Sequence, residues 1–187
     1  DDPTDGALAR PLLLPAGHGG ARVFGEHLGN KAHKYDLEAA AVLPDGRLVA
    51  FGSGSTERRQ QLVVLRPDGP VHVVDGAGLY AMLRGTVAFA GAELNIEGAV
   101  CSGGALWLFQ RGNGAAADGL EAIDAVEAID VDAFARWLDR GGPPPVLADV
   151  RRFELGSVAG VRLTFTDATA LPDGRLAFLA VAEDSPD

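Results

Sequence analysis

Six residues occur twice, letter for letter: Leu-Pro-Asp-Gly-Arg-Leu at 43–48 and again at 171–176. A Pro followed by Asp-Gly between apolar runs is a turn with a mechanism, because Pro presets φ and Gly takes positive φ freely. Each copy sits between a small-residue run (Ala39-Ala40-Ala41; Ala168-Thr169-Ala170) and an apolar run, so each predicts a β-hairpin. A third stretch, Asn95 to Phe109, has the same plan, with Gly98-Ala99 before the turn at Ser102-Gly103-Gly104 and Leu106-Trp107-Leu108 after it. Three units of one design, rather than one irregular domain, are the expectation.

The first unit continues through Gln61 to Leu65, a turn at Arg66-Pro67-Asp68-Gly69, and Val71 to Val74. That makes four strands joined by tight turns. Four-stranded antiparallel sheets in tandem are the blades of a β-propeller, so the predicted fold is all-β. Small residues on the first strand of each unit suit strands that crowd around one axis. The 59-residue spacing from Glu38 to Glu97 exceeds the roughly 40–50 of compact propeller repeats, which calls for insertions. Helical patterns around Leu79 to Leu83 and at Asp132 to Leu138 supply them, the second with Asp132 as expected N-cap and Ala133, Phe134, Trp137 and Leu138 on one face. The expected units are 36–90, 91–160 and 161–187 of a partial propeller spanning 1–187. Leu12 to Leu14 and Ala21 to Phe24, within 1–26, read as outer strands of a preceding unit. The strand after Pro143-Pro144-Pro145 is expected over Val146 to Phe153.

Composition narrows the function. A net charge of −10 repels phosphate backbones and argues against nucleic-acid binding. The single cysteine, Cys101, excludes a disulfide framework and a multi-cysteine zinc site. No apolar run has the length of a membrane span, and neither a dinucleotide fingerprint nor a haem ligation pattern is present.

In an up-and-down sheet of four strands, the two Asp-Gly turns of the first unit share one end. The opposite end collects the Gly-rich loops 52–59 and 110–114 and the starts of the first strands, with Glu38, Asn95, Glu97 and Asp167. Asp36-Leu37-Glu38-Ala39-Ala40 with Gly52-Ser53-Gly54-Ser55, and Asn95-Ile96-Glu97-Gly98-Ala99, resemble the inner-strand repeats of bacterial propeller proteins of the esterase-like phytase and SdiA-regulated type. The resemblance covers roughly 36–187 and implies carboxylates converging on an axial channel. The third unit departs from it, with Thr166 at the Glu position and the acid one residue later.

Three candidate sites follow. Glu38, Glu97, Asp167 and Asn95 could hold a hard cation such as Ca2+, which takes six to eight oxygens, or else bond backbone N–H groups between units. Ser53, Ser55, Arg58 and Arg59, with Arg111, could hold a small anion through backbone N–H groups and guanidinium forks, or form a solvated turn. His33 and Lys34 are candidate catalytic groups beside the first inner strand. Two functions fit these residues. One is a metal-assisted hydrolase of phosphate or carboxylic esters; the other is a non-catalytic propeller that binds a small anionic ligand or a protein.

Overall fold

The computed structural model describes residues 13–67 and 69–184. It is mostly β, with three antiparallel sheets of three or four strands and a few helices. The first sheet runs in chain order: β1 (Leu37–Val42), β2 (Leu48–Gly52), β3 (Gln61–Leu65) and β4 (Val71–Asp75). Helices α1 (Ala77–Gly85) and α2 (Val87–Ala90) connect it to the second sheet. That sheet holds β5 (Ile96–Ser102), β6 (Ala105–Gln110), β7 (Asp124–Asp130) and β8 (Arg151–Phe153), with α3 (Val131–Arg140) inserted before β8. The third has the order β11-β10-β9, from β9 (Ser157–Val158), β10 (Val161–Ala170) and β11 (Leu176–Ala182).

The two copies of the hexapeptide make one turn. Gly46 donates to the Leu43 carbonyl and Gly174 to the Leu171 carbonyl, both at 2.9 Å. Their φ angles are 84° and 83°, in the left-handed region that a side chain would strain. The small first strands also have their reason in the structure: β1, β5 and β10 lie side by side. A Cβ on Gly98 would stand 3.3 Å from the Cβ of Ala168, so β5 and β10 approach closely because neither carries bulk there.

Packing is layered. Phe51, Leu62, Val64, Leu106, Leu108 and Phe134 belong to the core between the first two sheets, and α1 and α3 contribute Tyr80, Leu83 and Trp137 to it. Phe109, Val126 and Phe165 form a second core between the second and third sheets. Ring pairs lock both layers, Phe51 against Phe134 at 5.8 Å and Phe109 edge-on to Phe165 at 5.3 Å. Each such buried ring contributes roughly 2–3 kcal/mol. The middle sheet is thus covered on both faces.

Some local expectations shift. The N-cap of α3 is Asp130, whose Oδ1 accepts from the Ala133 N–H at 2.7 Å, and Asp132 lies inside the first turn. Residues 13–35 form three short 3-10 turns instead of the outer strands expected at Leu13–Leu14 and Ala21 to Phe24, while Leu12 lies outside the described residues. Short apolar runs need a neighbouring edge to become strands, and this segment packs by side chains, with the Tyr35 hydroxyl donating to the Ala16 carbonyl. The strand expected over Val146 to Phe153 shortens to Arg151–Phe153 plus a bridge between Ile129 and Leu147. β9 pairs with the third sheet although it falls within the range expected for the second unit.

Candidate functional site

Every first strand carries a β-bulge in the same place. Register slips between Leu37 and Ala39, between Ile96 and Gly98, and between Phe165 and Asp167, leaving Glu38, Glu97 and Thr166 as the extra residues. A bulge re-aims the side chain at its crest. Glu38 and Glu97 thereby line one cleft of about 290 Å3, together with Asp36, Ser55, Arg59 and Asn95. Glu93, Asn113 and Gly114 close its far side.

Asp36 organises one wall. Its φ of 56° is unusual for a residue with a side chain, a strain of the kind that clusters at functional sites. Several bonds hold it there. Its carbonyl accepts the Ser53 N–H at 2.9 Å, and its carboxylate meets Lys34 Nζ at 2.6 Å, Arg59 Nη1 at 2.9 Å and the Ser53 hydroxyl at 3.2 Å. Arg59 also donates to Ser55 Oγ at 2.9 Å. Burial pushes the Asp36 carboxyl up, but Lys34 and Arg59 outweigh it and hold the pKa below its ordinary value.

The other wall is built from β5 and the loop after β6. Asn95 Nδ2 donates to Glu97 Oε1 at 3.0 Å and to Asn113 Oδ1 at 3.1 Å. Arg111 stands behind Glu97 at 3.3 Å, and it also reaches Glu183 at 2.5 Å and the Thr164 hydroxyl at 3.0 Å. One guanidinium thus ties the second sheet to the third. Glu38 and Glu97 are both pushed up in pKa. Burial is the main cause for each; the Asp36 charge adds to both, and Glu97 adds to the rise at Glu38. Two carboxyls whose hold on a proton is strengthened in this way face one polar cleft, where each can exchange a proton or a hydrogen bond with a ligand.

The structure brings Glu38, Glu97, Asn95, Ser55 and Arg59 together and leaves the other candidates outside. Asp167 accepts the N–H of Ala168 and does not line the cleft. Its place follows from the third bulge, which sets Thr166 at the crest and turns Asp167 to the face pointing away from the second sheet. Arg58 is exposed, and its carbonyl meets His18 Nε2 at 2.8 Å. Ser53 is buried beneath Asp36. His33 lies in a 3-10 turn beside Gly19, while Lys34 is spent on Asp36 at 2.6 Å and Glu38 at 3.8 Å. Sequence reasoning passed over Asp36, Glu93 and Asn113. The signal available was Asp36 two residues before Glu38, at the spot where Lys34 and Arg59 needed a partner.

A larger open groove of about 740 Å3 runs between the second and third sheets. Its arginines are engaged in holding structure: Arg162 pairs with buried Asp124 at 2.7 Å, and Arg152 donates to the Ala88 carbonyl at 2.9 Å.

A profile built on a family of unknown function, DUF6910, matches residues 30–187, which include all three sheets and both walls of the cleft. The chain belongs to that family. No curated protein matches it. The DUF6910 match therefore brings no chemistry of its own, and the cleft carries the functional argument. Among the described residues no helix is long and apolar enough to cross a membrane, and no group of three or more His, Cys, Asp or Glu side chains is placed to hold a metal ion.

Proposed function

We propose that the three sheets are blades of a β-propeller and that the cleft between Glu38 and Glu97 is its ligand-binding mouth. The observation that carries this reading is the repeated bulge, which turns Glu38 and Glu97 into one polar cleft at the same end of neighbouring first strands. The ligand is small and polar and offers hydrogen-bond donors or a positive charge. Asp36, Glu38, Glu93 and Glu97 line the cleft, and among the described residues Arg59 is the single basic one lining it. Arg59 is already paired with Asp36, so the anion fork expected from Arg58 and Arg59 is not the favoured use of this site.

The Ca2+ suggested by the resemblance fits these residues poorly. Asp167 lies outside the cleft, and protein cations already engage three of the cleft's four carboxylates: Lys34 and Arg59 on Asp36, Lys34 on Glu38 and Arg111 on Glu97. A second reading, hydrolysis of a phosphate or carboxylic ester, draws on the raised pKa values of Glu38 and Glu97, which suit proton transfer.

Thermal shift of the chain and of Glu38→Gln and Glu97→Gln tests both. The panel holds sugars, polyols, primary amines, inorganic phosphate, Ca2+ and chelator, beside chromogenic esters. A shift with an amine or polyol that both variants abolish is the expected result. A shift with phosphate alone returns the site to anions, Ca2+-dependent melting returns it to metal, and ester turnover lost in both variants makes it an enzyme. Wild-type shifts that survive in both variants place binding elsewhere and overturn the reading.

A further inference from the structure

The row of three sheets ends in two faces that the described residues leave open, and the repeat itself says what fits them. In the first sheet, pairing sets Val42, Leu48, Leu65 and Val71 in one cross-strand row and Ala40, Ala50, Val63 and Val73 in the next, on one face. All eight are apolar; Val63 at the centre is buried at 3%, but Val42 is 60%, Val73 39% and Leu48 36% exposed. An antiparallel sheet with one solvated face alternates polar outward, and this one does not.

At the other end, Ala177, Leu179 and Val181 of β11 face away from the second sheet, with Leu179 65% and Val181 43% exposed. Counting from the bulges gives the equivalences. Ala40, Val42, Leu48 and Ala50 stand where Ala99, Cys101, Leu106 and Leu108 stand in the second sheet, and those pack against the first sheet. Leu179 and Ala177 stand where Phe109 and Trp107 stand, and those pack against the third. The two open faces are therefore the two halves of the interface that already joins neighbouring sheets within the chain.

We infer that a second copy of this chain covers them, head to tail, so that the outer face of each third sheet lies on the outer face of the other copy's first sheet. Every copy carries both halves, and a heterologous contact that closes gives a ring. Two copies make a ring of six sheets, within the four to eight of propellers. Closure would bring β10 of one copy beside β1 of the other and complete the mouth around Glu38. The inference rests on the propeller reading, but its test reads mass, whereas the ligand test reads binding.

Light scattering on the purified chain should give twice 19.3 kDa. Val42→Glu and Leu179→Glu should each be monomeric with far-ultraviolet circular dichroism unchanged, and their equimolar mixture should recover dimer through the one intact pair of faces. Should either fail to fold, Val73→Lys and Val181→Lys replace them. A wild-type chain that stays monomeric overturns the inference. So does a Leu179→Glu variant that remains fully dimeric, which would mean that first-sheet faces pair with each other, or a mixture that stays monomeric.

Discussion

Residues 43–48 and 171–176 are the same hexapeptide in two surroundings. In both, the Arg N–H and side chain return to the Asp, with Nε to Oδ2 at 2.7 Å each time. The turn is thus a property of six residues. Around it everything differs. The Arg47 side chain is 7% exposed and reaches a second carboxylate, Asp139 of α3, at 2.8 Å. The Arg175 side chain is 77% exposed and, among the described residues, pairs with Asp173 alone. Leu43 is buried where Leu171 is half-exposed. The first copy lies under the α3 insertion and the second at the open end of the row. Identical local chemistry carries unequal weight because stability comes from what a turn packs against.

Paired substitutions break or sharpen that contrast. The largest effect is expected at the leading leucine: Leu43→Ala should cost about 3 kcal/mol by chemical denaturation, and Leu171→Ala less than half of that. Equal losses would mean that the third sheet is as well covered as the first. Next, Arg47→Ala should cost about 2 kcal/mol, because it removes the mostly buried cation that Asp45 and Asp139 share and leaves Asp139 with Arg66 at 3.4 Å. Arg175→Ala should leave the melting midpoint unchanged. Gly46→Ala and Gly174→Ala should each cost roughly 1 kcal/mol from the positive φ they share. Gly46 should lose slightly more, since its Cβ would meet Pro67 at 3.1 Å.

The smallest nonzero effect belongs to Glu38 in the cleft. Glu38 has a raised pKa in the folded chain, so the fold binds protons more tightly there than the unfolded chain does. Stability should therefore fall as pH rises from the ordinary 4.5 through the raised value. Glu38→Gln removes that fall, and its advantage over wild type should grow across this window and then level off. The Glu38 side chain is 37% exposed, and solvent screens the gain to roughly a few tenths of a kcal/mol. Asp36 runs the other way. Its lowered pKa stabilises the fold above 3.8 and loses that contribution as pH drops through the folded value. Asp36→Asn should flatten the acid limb of the melting curve, and should also lower stability at neutral pH by releasing Lys34 and Arg59.

The cleft was half legible beforehand. Glu38 and Glu97 could be found because they recur at one place in a repeat, and recurrence survives without coordinates. Asp36 recurs only as Asn95, and Asn113 has no like residue in the other units. They matter because loops distant in sequence happen to face them: Arg59 reaches Asp36, and Asn95 reaches Asn113. Asp167 misled for a related reason. Its position along β10 was right, but which side it faces depends on a bulge whose crest is Thr166.

Hairpins, small-residue first strands, and the helical insertions at α1 and α3 follow from residues close in the chain, where φ preferences and side-chain periodicity act directly. The sequence by itself determined those. Which sheet lies against which, which of two identical turns is buried, and which carboxylates share a cleft depend on contacts between residues far apart. Only the tertiary structure decided them, because a side chain's energy is set by its neighbours and the chain order does not name them.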